Sequence, residues 1–377
     1  MKKFLLVLVC AFFIVNLNAQ NPIYYLLIGT YTDGGTNDGI HVYRFNPNKG
    51  EATFISKTSG VQNPSWLCVS KDGKFVYAVN ENGGDKPGEV SAFAFDKKNG
   101  QLTLLNKQPT DGFAPCHISI DASGKNVITA NYAGGNITVF KTNADGSLQP
   151  YTQLVGHEGY GVNVQRQEMP HPHQVVFSPD EKYVFSPDLG TDRLYQYTFN
   201  GSDPKNVLTA ANDPGYVTVD DGFGPRHITF SPDGKTAYLL NELAGNIIVF
   251  DYADGKFTPK QTIASTTAGD KNDHGSAEIV IAPNGKFLYT SNRGAANDVA
   301  LYKVQTDGTL LENGKQAVAA NPRGMMVDPT GRFLLVASQN GNTVQIFVIN
   351  KNYGLLQDAG KIDGITKPVC LVMTPVN

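Results

Sequence analysis

A chain of 377 residues, 41% hydrophobic and 17% charged, can bury a large core and is not a disordered polyelectrolyte. Its net charge of −3 argues against a nucleic-acid partner, which needs a basic face. The 39 Gly and 21 Pro, with 17 Tyr and 20 Phe, point to many short strands joined by turns.

The first predicted element lies outside the fold. Met1-Lys2-Lys3 followed by FLLVLVCAFFIV has the charged start and apolar centre of a signal peptide. The apolar run falls short of the roughly 20 residues that cross a bilayer. Cleavage near Ala19 leaves residues 20–377 as an exported chain without a membrane span, in a periplasm or at the cell surface. A lipoprotein reading through Cys10 is disfavoured by the bulky Val9 before it. Cys68, Cys116 and Cys370 remain, each in an apolar strand context. Buried inert thiols are expected, with one disulfide as the alternative and no metal knuckle.

From Asn21 onward the chain repeats. Two strands, YYLLIGTYT and GIHVYRF, are followed by anchors at 64, 115, 172, 225, 276, 322 and 368, spaced 46 to 57 residues apart. Nine residues separate each anchor from its turn, as in Pro64 to Gly73, Pro115 to Gly124, Pro225 to Gly234 and Pro322 to Gly331. Glu181 replaces the turn glycine after Pro172, and Ser276 replaces the anchor proline before Gly285. A second apolar strand follows each turn (KFVYAVN, KNVITAN, KYVFSPD, KTAYLLN, KFLYTSN, RFLLVAS), then a third (EVSAFAF, NITVFKT, RLYQYTF, NIIVFDY, DVALYKV, TVQIFVI). Segments such as QLTLLNK leave room for a fourth. Period-two patterning with no sustained 3.6-residue period makes the chain all-β. Four-stranded units repeated seven times predict a seven-bladed β-propeller in one domain, residues 20–377. The last anchor begins PVCLVMTPVN and the chain stops, so a C-terminal strand is expected to complete the N-terminal blade and close the ring.

In such a blade the first strand lines the central channel, and its start shares a face with the end of the second strand. Residues after the anchors and after the second strands therefore converge at the channel mouth. These include Glu81, His117, His173, Arg226, His227, Asn241, Glu242, Glu278, Arg293 and Arg323, with His171 and His274 just before their anchors. Asn80, Asn131 and Asn292 are expected to be turn formers, and the Ser-Pro-Asp-Gly turns structural. The runs 220–221 and 270–273 read as solvated loops. The sequence has no GxSxG elbow, phosphate loop or HExxH segment. His171-Pro-His173 suggests a metal only weakly, because alternate residues of a strand point to opposite sides. Arg, His and Glu around a wet funnel can hold an anion, stabilise an oxyanion and move one proton.

MPHPHQVVFSPD, GFGPRHITFSPDGKTAYLLNE and SAEIVIAPNGKFLYTSNRG, in that order, resemble the lactonase family of seven-bladed propellers, over essentially the whole mature chain. That family includes propeller-type 6-phosphogluconolactonase and carboxy-cis,cis-muconate lactonising enzyme. The resemblance implies hydrolysis of a sugar-acid lactone without metal or other cofactor, so the small-molecule partner is a lactone or the sugar acid it yields. It implies catalytic roles for His173 (or His171), Arg226, Glu242 and Arg293, with either Glu242 or His173 activating water. The mouth positions add His171, His117, His227, Glu81, Arg323 and Asn241 as expected substrate contacts, and no metal ligand. Export argues for a lactone without phosphate. The competing expectations are a non-catalytic carbohydrate- or protein-binding propeller and a cycloisomerase.

Overall fold

The hairpin turns close by local chemistry. Ser231 Oγ donates to Asp233 Oδ1 (2.6 Å) and accepts from the Thr236 amide (3.0 Å), while Gly234 takes φ +69°, where a side chain is disfavoured. Ser70 with Asp72 and Ser178 with Asp180 make the same turn in other blades.

The computed structural model describes residues 22–33, 38–83, 86–266 and 275–376. The predicted signal segment with Cys10, the 270–273 run and His274 lie outside them. The described residues are all-β and form seven antiparallel sheets, the seven-bladed propeller expected. Among these residues no helix is long and apolar enough to cross a membrane.

Pro368–Pro375 pairs with Tyr24–Thr30, which pairs in turn with Asp38–Asn46 and Glu51–Ser59. The two ends of the chain thus share one blade, and its inner edge is covered. In every other blade the anchor strand is innermost. Second strands such as Thr236–Asn241 are buried along their length, whereas outer strands such as Lys256–Ala264 are largely exposed.

Adjacent blades are held by apolar seams and by tyrosines. Phe45 and Phe333 meet edge to face at 5.8 Å between the composite blade and its neighbour. Burying such a side chain contributes about 1.5–3 kcal/mol. Tyr25, Tyr77, Tyr238 and Tyr289 each donate a hydroxyl across a seam, to the carbonyls of Lys97, Gly146, Gly308 and Gly354 at 2.9–3.0 Å. A buried phenol needs such a partner, so these bonds also set the angle between blades. Cys68, Cys116 and Cys370 are free thiols, which removes the disulfide alternative.

The blade anchored at Pro172 departs from the pattern. Its innermost strand shrinks to Val176–Phe177 plus an isolated bridge from Pro172 to Asp188. Proline at the anchor is common to full-length inner strands of other blades. Here, however, Pro187 also sits in the second strand: its carbonyl accepts from the His173 amide, and it has no amide hydrogen to return to the inner strand. The outer position of the same blade is shared by Leu208–Ala210 and Tyr216–Thr218, both paired with Arg193–Phe199.

Candidate active site

The site starts from a register defect. Pro225 pairs with Asn241, but the next pair is His227 with Leu240, leaving Arg226 as an extra residue. Cys116 and Arg323 are extra residues at the same point of their blades, and Ala277 and Glu278 fall in a similar gap. Successive strand residues normally point to opposite faces, and a bulge re-aims one of them. Arg226 and His227 consequently lie on the same side, with Arg226 Nη1 3.3 Å from His227 Nε2. The side chain of Arg226 is only 1% exposed, and its Nη1 also donates to the Ala277 carbonyl.

Glu242, just beyond the second strand of that hairpin, gathers three guanidinium groups. Its Oε2 lies 2.9 Å from Arg226 Nε and 3.0 Å from Arg293 Nη2. Its Oε1 accepts from Arg166 Nη2 at 2.7 Å. Burial alone would raise the Glu242 carboxyl, but Arg293, Arg226 and Arg166 hold it well below the usual carboxylate range. Burial, then Arg293 and Arg323, bring Arg226 down to about 10, so it stays charged at neutral pH.

Across the channel, Glu81 Oε2 accepts from Tyr31 Oη (2.8 Å) and lies 3.7 Å from Arg323 Nη2. Tyr31, Glu81, Arg293 and Arg323 line a polar cleft of about 510 Å³ that opens at the mouth. Arg226, Arg293, Arg323, Glu81 and Glu242, all expected here, are therefore brought together.

The histidines lie deeper. His173 ring Nδ1 is 3.8 Å from Cys116 Sγ, and its ring packs edge-on to Tyr132 (5.5 Å) and His227 (5.2 Å). Burial, then Arg226, His227, Arg323 and Arg293, lower its pKa well below the ordinary value, so it is neutral at pH 7. With Arg226 donating to Nε2, His227 carries its proton on Nδ1 and donates to Glu278 Oε1 at 2.9 Å. Burial raises Glu278 to about 8, so this is a pair of neutral groups. His117 packs against Trp66 with ring centroids 4.5 Å apart and planes tilted by 31°. None of His117, His173 and His227 lines the polar cleft at the mouth, and neither do Arg226 and Glu242, which reach it through Arg293.

Two further expected contacts are placed differently. Asn241 stays in the ladder and donates to Asn246 Oδ1 (2.7 Å), away from Glu242. Asn80 and Asn292 are not local turn formers: they donate to the carbonyls of Gln62 and Ser265, 18 and 27 residues earlier, and tie the second strand to the preceding inter-blade segment. His171 is stacked on Tyr132 at 4.4 Å, with Nδ1 donating to the Tyr132 carbonyl and Nε2 3.2 Å from Glu168. It braces Tyr132, at the edge of the arginine cluster.

A family profile described as "Lactonase, 7-bladed beta-propeller" matches residues 25–373. The chain belongs to this lactonase family. It is 34% identical over 337 residues to a Formosa agariphila 6-phosphogluconolactonase, covering 88% of this chain and 94% of that one. A Bacillus subtilis 6-phosphogluconolactonase is 32% identical over 348 residues, 91% and 96% of the two chains. Among solved structures, a Bacteroides fragilis protein superposes with TM-score 0.89 at 44% identity, over 94% and 98% of the two chains. The Pseudomonas aeruginosa periplasmic gluconolactonase superposes with TM-score 0.88 at 33% identity, over 94% and 100%.

This lactonase-family chain carries two features that repeat logic passes over. Arg166 lies between blades, outside every repeat. Its only trace in the sequence is the anchor spacing of 57 between 115 and 172, the longest in the chain. The second is a buried brace. His157 Nδ1 lies 2.6 Å from Asp188 Oδ2, and Asp188 Oδ1 accepts the amides of His171, Gly190 and Thr191. A Cβ on Gly190 would stand 1.9 Å from the Met169 carbonyl oxygen, so only glycine lets the Met169–His171 segment pass so close. That segment delivers His171 and His173 to the channel.

Proposed function

We propose that the chain is an exported lactonase which hydrolyses a sugar-acid lactone at the channel mouth without a metal. In this reading residues 1–19 are a cleaved signal peptide and 20–377 form a single propeller domain. The observation that carries it is Glu242 gripped by Arg226 and Arg293, with the neutral ring of His173 close enough to feel both guanidiniums. A fixed carboxylate, two charged donors and an unprotonated imidazole suffice for adding water to an activated ester.

The lactone carbonyl lies against the guanidinium donors. The oxygen of water bonds to the carbonyl carbon while Glu242 Oε1 takes one water proton and His173 orients the water through its lone pair. Negative charge develops on the carbonyl oxygen and is met by Arg226 and Arg293, whose positions are already set by burial. The bond from carbonyl carbon to ring oxygen then breaks, and the proton on Glu242 passes to the leaving alkoxide. So depressed a carboxyl is a weak base that returns the proton readily, so stabilisation of the oxyanion by Arg226 and Arg293 carries most of the rate. The net change is one water added, giving an open hydroxy acid that ionises.

The family and the relatives named 6-phosphogluconolactonase support a lactone substrate. The periplasmic gluconolactonase supports export and, with it, an unphosphorylated sugar lactone. The test is a panel of lactones assayed for hydrolysis with and without chelator. Turnover that survives the chelator supports the reading; loss with chelator, or no turnover at all, overturns it.

A further inference from the structure

The two oxygens of Glu242 are not equivalent. Oε2 is held by Arg226 and Arg293, each anchored a second time: Arg226 on the Ala277 carbonyl and Arg293 Nε on the Gly275 carbonyl at 3.0 Å. Oε1, the oxygen free to take a proton, has Arg166 alone. Among the described residues the guanidinium of Arg166 has no backbone anchor, and its other hydrogen bond is to the Tyr132 hydroxyl at 3.4 Å. Its side chain is 42% exposed, against 17% for Arg293 and 1% for Arg226.

The backbone beneath Arg166 is fixed. Neighbouring Gln167 is fully buried, donates to the Leu189 carbonyl (2.9 Å) and accepts from the Asn163 amide (3.0 Å). Movement is therefore left to the side chain. Arg166 also lines a groove of about 890 Å³ with Val162, Val164, Asp221, Phe223 and Leu243, so it has space to swing into.

Charge supplies the second argument. Arg166, Arg226, Arg293 and Arg323 face two carboxylates, Glu81 and Glu242, while Glu278 keeps its proton at neutral pH. Two positive charges are left over at the mouth. The other acids nearby do not pair with them: Asp33 lies with Lys367, Glu168 with His171, Asp192 is taken by the amides of Gly222 and Gly224, and Asp221 is exposed on the groove wall.

We infer that Arg166 is a specificity-determining residue that caps Oε1 of Glu242 and exchanges it for an anionic group, carboxylate or phosphate, carried by the lactone away from its ring carbonyl. A matching substrate then uncovers the base as it binds, whereas a neutral lactone meets it only when Arg166 swings away unaided and turns over more slowly. The chemistry rests on the lactonase reading; the anion contact does not, and binding tests it separately.

Calorimetric affinities would be measured for gluconate, glucarate and 6-phosphogluconate with the wild type, Arg166→Ala and Arg166→Lys, after melts confirm folding. Lactone turnover by the wild type would be followed in parallel. In the wild type, glucarate or 6-phosphogluconate binds more tightly than gluconate, and the preferred one identifies the anion as carboxylate or phosphate. Arg166→Ala lowers that preference by about tenfold to a hundredfold, the size of a charge-assisted contact, and Arg166→Lys restores part of it. Equal binding of all three by the wild type, or a preference unchanged in Arg166→Ala, overturns the inference. Lactone turnover with an unchanged preference sinks Arg166 alone, whereas a preference lost in Arg166→Ala without any turnover sinks the lactonase reading alone.

Discussion

Replacing Glu242 with Gln removes one charge and keeps the shape. Three guanidiniums at 2.7, 2.9 and 3.0 Å then face an amide that cannot take a proton. Arg166 can turn to solvent. Arg226 cannot: it is buried, and its other acidic neighbour, Glu278, is protonated at neutral pH. Leaving a buried charge without its partner costs about 3–5 kcal/mol, and the amide oxygen keeps the loss near the lower figure. At roughly 2 °C per kcal/mol for a chain of this size, the melting temperature falls by roughly 5–10 °C. Because the Glu242 carboxyl is held below its ordinary 4.5, its contribution is complete above about pH 4.5 and lost as pH falls through the folded value. The gap between wild type and Glu242→Gln is therefore full at pH 7 and narrows in acid. Lactone turnover falls by about 10²–10⁴-fold through loss of the base. Thermal melts from pH 3 to 8 and a lactone assay read both effects. Turnover within about threefold of wild type, with an unchanged melt, would refute the reasoning.

Two further outcomes follow from the same physics. Glu278 is raised to about 8 from 4.5, so its native form favours the proton; its contribution to stability is full below about pH 4.5 and is lost as pH rises through about 8. Glu278→Gln cannot ionise, so its melting temperature relative to wild type should climb across that window, and a pH-independent difference contradicts the assignment. Deleting residues 368–377 removes the strand that covers Tyr24–Thr30 and exposes a long apolar edge. The truncated chain should be insoluble or lose its cooperative melt, and a soluble chain with the full-length melt would show that ring closure is dispensable.

The fold is legible because each blade repeats the nine-residue interval from anchor to turn, and because the strands missing after Pro368 stand at the other end of the chain. The shortened inner strand at Pro172 is not, since Pro187 in the second strand removes a ladder donor in a blade whose spacing still matches. Arg226 and Glu242 are predicted as neighbours because an antiparallel hairpin brings its ends together, and Arg293 follows by blade equivalence. The bulge that turns both Arg226 and His227 inward leaves no mark in local pattern, because register is settled by packing against the neighbouring blade. The depth of His117 and His227 was hidden for the same reason. Asn241 looks like a site residue only by adjacency; its amide is taken by Asn246. Arg166 sits in an inter-blade insertion that the repeat does not govern, so only the anomalous spacing hints at it.

The central claim is that the arginine-gripped Glu242 opens lactones with side chains alone. A pH-stat following base uptake by the purified chain with glucono-1,5-lactone and 6-phosphogluconolactone, with and without EDTA, measures it directly. The account predicts hydrolysis of at least one lactone above the spontaneous rate, undiminished by EDTA and lost in Glu242→Gln. Uptake at the spontaneous rate with both, or full activity in Glu242→Gln, would contradict it.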